Sequence, residues 1–274
     1  MNFALLNNQL TEEKDLRLTN KNRGFLYGDG FFETIKIFNK KPFNLENHFD
    51  RIIYSADLLD IKFTLSVLDL NKSVSILIEK NNIKSGSVRI SVYRNSKGKY
   101  FPEENTSSIL INSRNDINHV FVERSFINIG YYKENLKSPS PLSNLKSLNS
   151  LLYVMASKYA NENNFDDVIL LNTNNNIIET TNSNLFILNY NKVITPPLKD
   201  GCVDGSMRKL LISIIKNKYE FEEESISEND LDTCSEVILS NSTYGVRGIK
   251  KINEVTYNNS NLYKYLINSL NNLI

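Results

Sequence analysis

"NLKSLNSLLYVMASKYA" spans residues 144–160 and follows directly on "PSPLS" at 139–143. Two prolines close off what precedes, because proline has a fixed φ and no N–H to continue a ladder. Lys146 then opens a stretch whose small polar and apolar residues take a helical period. The spacing predicts a helix after Lys146 with that cation at its mouth. Upstream, "SFINIGYY" reads as a strand, which the prolines would end.

Downstream of this stretch, "DDVILLNTNNNIIETTNSNLFILNYNKVITP" reads as three strands joined by turns at "NTNNN" and "YNK". "LKDGCVDGSMRKLLISIIKNKYE" reads as a glycine-bearing loop opening a helix, "SEVILSNSTYGVRGIKKI" as strand, loop and strand, and "NSNLYKYLINSLNNLI" as a closing helix. In the first half, "GFLYGDGFFETIKIFNKKPFNL" reads as strand, tight turn and strand, with Gly28, Asp29 and Gly30 supplying the turn. Leu45, Phe49, Ile52, Ile53, Ala56 and Leu59 fall at helical spacing with Asn44 as cap, and Leu65 to Asn81 forms a second amphipathic helix. "GSVRISVYRN" and "SSILINS" add two strands. A polar stretch from Arg114 to Asn118 is the candidate linker. The expectation is an α+β chain of two domains, 1–116 and 117–274.

The 274 residues, 41% of them hydrophobic, suffice for one large or two ordinary globular domains. With 32 basic and 31 acidic residues the net charge is +1, which argues against a nucleic-acid or anionic-membrane partner. No run approaches the ~18 apolar residues of a membrane span, so a soluble, cytoplasmic protein is expected. Cys202 and Cys234 are too few for a disulfide framework and read as buried thiols. His48 and His119 are the only histidines, which speaks against a His-ligated metal and against a Ser-His-Asp triad, so no metal site is expected. The asparagine runs read as codon bias rather than chemistry.

Taken singly, the polar residues of interest have ordinary readings. Lys146 fits a solvated surface lysine, Glu179 an exposed strand face, Arg51 the charged face of a helix, and "VDGSMR" a loop with a helix start. Together they suggest more. A helix entered through "DGS" offers unpaired N–H groups and a favourable dipole to a phosphate. "SNST" could add a hydroxyl and Arg51 a counter-charge. A lysine able to form a Schiff base and a carboxylate able to keep a ring nitrogen protonated complete the requirements of pyridoxal phosphate.

The chain resembles the fold-type IV, or class IV, pyridoxal-phosphate enzymes: branched-chain aminotransferase, D-amino-acid aminotransferase and 4-amino-4-deoxychorismate lyase. "NRGFLYGDGFFET", "ENHFDRI", "LKSLN", "IIETTNSNLFIL", "TPPLKDGCVDGSMR" and "LSNSTYGV" resemble that family's motifs in order, over nearly the whole chain. The resemblance implies Lys146 as the Schiff-base lysine and proton shuttle and Glu179 as partner of the pyridine nitrogen. It implies Arg51, the backbone of Ser206 and Met207, and the Ser242 hydroxyl as phosphate ligands. It also implies two α+β domains with the cofactor between them, Lys146 in the second, and a homodimer acting on a small amine substrate.

For the reaction, "KSLNSL" resembles D-amino-acid aminotransferases and the lyases rather than branched-chain enzymes, which show two glycines and then Asn-Tyr after the lysine. The D-amino-acid transaminases carry Tyr where this chain has Phe32, and Glu where it has Gly245. Phe at the first place and Gly-Val after an Asn-Ser loop resemble the lyase, which would release 4-aminobenzoate and pyruvate. A transaminase for a D- or branched-chain L-amino acid is the alternative. "YRNSKGKYFPEEN" resembles a loop that in this family reaches across the dimer toward the substrate carboxylate. Lys99 stands there near the place of an arginine, and Arg247 is another candidate anion ligand.

Overall fold

Residues 2–274 are described by the computed structural model. They form two compact units. One runs to Val120 and takes in Leu145–Asn149; the other comprises Phe121–Asn144 and Ser150–Ile274.

The first unit contains β1 (Phe3–Leu6), β2 (Gln9–Glu12), α1 (Arg23–Tyr27), β3 (Gly30–Phe38), β4 (Lys41–Pro42), α2 (Leu45–Leu58), α3 (Val67–Lys80), β5 (Gly86–Arg94) and β6 (Ser107–Asn115). The strands make one antiparallel sheet in the order β2-β1-β6-β5-β3-β4. Alternation sends Phe31, Ile35 and Ile37 of β3 and Val88, Ile90 and Val92 of β5 to one face, where they pack on Ile52 and Ala56 of α2 and Leu70, Val74 and Leu77 of α3. Ser66 starts α3 with a capping box to Asp69.

"GFLY", expected as a strand, lies within α1: Asn22 caps it by accepting from the Phe25 N–H, and Gly28 ends it at φ +64°. The tight turn survives, but it joins a helix to a strand. Asn44 occupies the N-cap of α2 in a left-handed conformation, and its side chain takes the Asn47 amide instead of capping. The expected linker begins inside β6, and the division between units falls at Val120/Phe121.

The second unit contains β7 (Ile127–Lys137), α4 (Leu151–Glu162), β8 (Asp167–Asn172), β9 (Ile177–Thr180), β10 (Asn184–Asn189), β11 (Lys192–Thr195), α5 (Ser206–Ile215), β12 (Glu220–Glu223), α6 (Glu228–Thr233), β13 (Glu236–Asn241), β14 (Gly245–Ile252), β15 (Val255–Thr256) and α7 (Asn261–Asn271). Its sheet runs β12-β11-β10-β13-β14-β7-β8-β9, and β9 returns to β10 through the single pair Glu179↔Asn184. A six-stranded ring is thereby closed, with Ile129, Ile169, Leu171, Leu185, Ile187, Val237, Leu239 and Ile249 packed together. β7 and β8 are parallel, so their connection must cross over, and α4 does this by laying Ala156 and Ala160 against Val168 and Leu170.

The three strands expected between residues 166 and 196 are four, β8–β11, since "TTNS" breaks one apolar run into β9 and β10. Lys146 does not stand at the mouth of α4, which begins at Leu151. Its segment, expected in the C-terminal domain, is extended and packs in the first unit beside β3, where Phe32 N–H donates to the Lys146 carbonyl and Leu148 N–H to the Gly30 carbonyl. β4 is only two residues long, so the early part of β3 keeps an edge for this segment to pair with.

The asparagines do have a conformational role. Among the described residues, eight of the eleven non-glycine positions with positive φ are asparagine, including Asn7, Asn82, Asn164 and Asn253, so these residues make turns that other L-residues adopt at a cost.

Candidate active site

In the first unit the chemistry gathers around β3. Alternation places Glu33 on the buried face with Phe31 and Ile35, where it is 1% exposed. Arg51 and His48, one turn apart on α2, reach it there. Arg51 donates through Nε to Oε1 and through Nη2 to Oε2, each at 2.6 Å, and His48 Nδ1 lies 2.6 Å from Oε2. Burial raises the Glu33 carboxyl pKa, but the Arg51 and His48 charges and hydrogen bonds outweigh it and bring the value down to about 2. Burial lowers the pKa of His48, with Glu33 opposing and Arg51 and Lys146 adding to the fall. An ionised carboxylate only accepts, so neutral His48 carries its proton on Nδ1.

The other face of β3 carries Phe32, half-buried, with Lys146 Nζ 4.4 Å from its ring centroid. Sequence reasoning singled out Arg51, Phe32 and Lys146 but passed over Glu33. The available signal was a carboxylate on the apolar face of "GFFETIKIF".

In the second unit Glu179 lies at the closing pair of the ring, 3% exposed. Oε1 accepts from Lys137 Nζ at 2.7 Å and Tyr153 OH at 2.8 Å, and Oε2 from the Val203 N–H at 2.9 Å. Lys137 Nζ also donates to the Tyr153 hydroxyl at 2.7 Å. Burial, reinforced by the Glu179 charge, holds the Tyr153 phenol well above its ordinary pKa, so it remains a donor. Glu179 is therefore a buried, partnered carboxylate and not a residue of an exposed strand face. Lys137 and Tyr153 were missed because their partner is remote in sequence and neither belongs to a recognisable motif.

The loop before α5 is held in shape by side-chain amides. Asn144 Nδ2 donates to the Leu198 and Cys202 carbonyls at 2.8 and 2.7 Å, and Asn184 Nδ2 to the Val203 carbonyl at 2.8 Å. A Cβ on Gly205, the N-cap of α5, would fall 2.0 Å from Asn184 Oδ1, so only glycine fits. Ser206 and Met207 occupy the first turn of α5, whose N–H groups are those a helix leaves without intrahelical acceptors. Ser206 Oγ lies 3.1 Å from Ser242 Oγ, so the two predicted phosphate loops meet.

Two other predicted ligands make hydrogen bonds within their own units. Lys99 is exposed, and its carbonyl accepts from Arg23 Nη1 at 2.5 Å. Arg247, on β14, donates through Nε to the Ser125 carbonyl at 3.3 Å.

The model of the family "Amino-transferase class IV" matches residues 30–252, from the first residue of β3 to the last of β14. The chain belongs to the class IV amino-transferases. A D-alanine aminotransferase from Staphylococcus epidermidis is 25% identical over 256 residues, covering 92% of this chain and 89% of that protein. The structure of a proposed 4-amino-4-deoxychorismate lyase from Legionella pneumophila superposes with a TM-score of 0.88 at 27% identity, covering 96% of this chain and 97% of that one. The T.th. branched-chain amino acid aminotransferase with pyridoxamine 5'-phosphate has the same fold, with a TM-score of 0.89 at 16% identity and coverage of 100% and 95%. Class IV enzymes depend on pyridoxal phosphate, and this one is an enzyme of that kind.

Each unit, taken by itself, holds residues whose chemistry fits such a cofactor. Lys146 offers an amine for the aldehyde. Glu179 offers a carboxylate whose Oε2 has a lone pair beyond the one used by Val203. The start of α5, with the Ser206 and Ser242 hydroxyls, offers a phosphate cradle.

Proposed function

We propose that this class IV enzyme is a 4-amino-4-deoxychorismate lyase. The observation that carries the reading is Phe32, whose ring lies against Lys146 Nζ and brings no phenolic proton to the reacting amine. The likeness to the Legionella protein supports it.

The bound cofactor supplies an electron sink. Lys146 would hold it and, once displaced by the substrate amine, would take the proton from the amine-bearing ring carbon. Loss of the enolpyruvyl ether from the adjacent carbon makes the ring aromatic, giving 4-aminobenzoate and, after proton uptake, pyruvate. Glu179, paired with Lys137, would hold the ring nitrogen's proton. Ser206, Met207 and Ser242 would bind the phosphate, and Arg51 is proposed as a further phosphate ligand.

The test is release of 4-aminobenzoate from aminodeoxychorismate by the wild type and by Lys146→Ala. Release that depends on the lysine supports the lyase. Transfer of the amino group of D-alanine to a 2-oxo acid, with no 4-aminobenzoate formed, would establish the second reading, which the likeness to D-alanine aminotransferase favours.

We also propose a cytoplasmic homodimer. Tyr100 and Phe101 are 89% and 83% exposed in the Lys99 loop, and Tyr27 packs near Tyr100 at 5.6 Å, leaving aromatic surface for a second copy to cover. Light scattering at the mass of two chains is the expected result.

A further inference from the structure

β10 and β11 meet at a two-residue turn, Tyr190 and Asn191, because Asn189 pairs with Lys192. Tyr190 sits there at φ +54°, a conformation that glycine adopts in a hairpin without strain and a bulky residue does not. Its ring is 96% exposed, so no core contact of its own offsets that strain. A strained aromatic residue held out at the surface marks a place where the side chain has a use.

Tyr190 lines a groove of about 710 Å³ within the second unit, a size common among small-molecule sites. The turn after α5 supplies Lys218 and Tyr219, and the Glu220 N–H ties that turn to the Asn191 carbonyl at 3.2 Å. α7 supplies Asn261, Lys264, Tyr265 and Asn268, which share one helical face, while Leu262, Leu266 and Ile267 turn the other face to the core. The Tyr265 hydroxyl donates to the Ile214 carbonyl at 3.0 Å and anchors α7 against α5.

The lining is aromatic and cationic. Tyr219 and Tyr265 meet edge to face with centroids 5.6 Å apart, and Lys218 Nζ lies 5.4 and 4.7 Å from their ring centres. Among the described residues no carboxylate lines the groove and neither Lys218 nor Lys264 has an ion pair. Glu236, whose charge reaches Tyr219, is buried and accepts from the Leu262 and Tyr263 N–H groups. Aromatic faces, two lysines without a counter-ion and side-chain amides at the rim are the groups that hold a base and its phosphates.

We propose that this groove binds a nucleoside diphosphate, its base stacked on the tyrosines and its phosphates on Lys218 and Lys264. Two cations match a diphosphate better than a single carboxylate, and a net charge of +1 disfavours a nucleic-acid polymer. The phosphate cradle of the cofactor is at the start of α5 and this groove lies beyond its end, so the inference holds whichever reaction the enzyme catalyses.

The test titrates ADP, adenosine, pyrophosphate and a single-stranded thymidine oligonucleotide into the protein by calorimetry, without divalent cations. The protein is first loaded with pyridoxal phosphate and freed of excess, so that the cradle is filled. Wild type should bind ADP more tightly than adenosine or pyrophosphate. The double variant Lys218→Gln, Lys264→Gln should weaken ADP by roughly tenfold or more and leave any adenosine binding unchanged. Tyr190→Gly should weaken ADP by roughly threefold or more while keeping or raising the unfolding midpoint, a combination that a merely structural role would not give. Absence of ADP binding to wild type, or equal ADP affinity in all the variants, overturns the proposal. Pyrophosphate bound as tightly as ADP would make the groove a site for phosphate alone and overturns it too, as does an oligonucleotide held far more tightly than ADP. A lower midpoint in Tyr190→Gly with ADP affinity unchanged would assign the ring to the fold and overturn its role in binding.

Discussion

Lys137 Nζ lies 2.7 Å from Glu179 Oε1, so the last residue of β7 supplies the counter-charge for a carboxylate at the closing pair of the ring. Both side chains are nearly out of solvent, 11% and 4% exposed, which makes the pair one whose rupture is expensive and whose net worth is small. Its value is in aiming Glu179.

Lys137→Met should therefore cost about 3 kcal/mol in urea unfolding, because it leaves Glu179 buried with only Tyr153 and the Val203 N–H. The double variant Lys137→Met, Glu179→Gln should recover part of that loss. Equal stability of the two variants would mean the pair is uncoupled.

Glu33 makes an acid-side prediction. Its folded pKa of about 2 is below the ordinary value of 4.5, so its stabilisation is fully present above about pH 4.5 and is lost as pH falls through about 2. In Glu33→Gln the unfolding free energy should change less over that window. The variant should also be less stable at neutral pH by about 3–5 kcal/mol, since Arg51 loses its buried partner.

Gly205→Ala tests the cradle at the start of α5. The added Cβ meets Asn184 Oδ1, so about 1–3 kcal/mol of overpacking is expected, together with weaker retention of pyridoxal phosphate on dialysis. Asn184→Ala placed with it should relieve the clash, though the Val203 carbonyl then loses its donor.

Both thiols are buried, and desolvation pushes Cys202 and Cys234 up to about 12, with Glu179 adding to the rise at Cys202. A thiol reagent at pH 8 should find neither in the folded protein and both in guanidinium. Fast labelling of the native chain at Cys202 would contradict the closed packing around Glu179.

Much of this protein was legible from local pattern. The period of "ENHFDRIIYSADL" marked α2, alternation marked β5 and β6, and the glycine-bearing loop before "SMRKLL" marked the start of α5. The "GFLY" helix was not legible, because its five residues are held by one cap and one left-handed glycine that also suit a turn. Nor was the ring of the second unit, whose closure depends on one pair between β9 and β10.

The sequence by itself determined the α+β class and the resemblance to a pyridoxal-phosphate family, and through that resemblance it singled out Lys146, Glu179 and Arg51 as candidates. Only the tertiary structure decided what each of them faces. Lys146 is fixed by pairing with β3 and not by the helix that follows it, Arg51 is bound to Glu33, and Glu179 is paired with Lys137. Those partners come together through sheet register and burial. None of them is written in the spacing of any short motif, because charge pairing in a low-dielectric interior depends on distance in space, not along the chain.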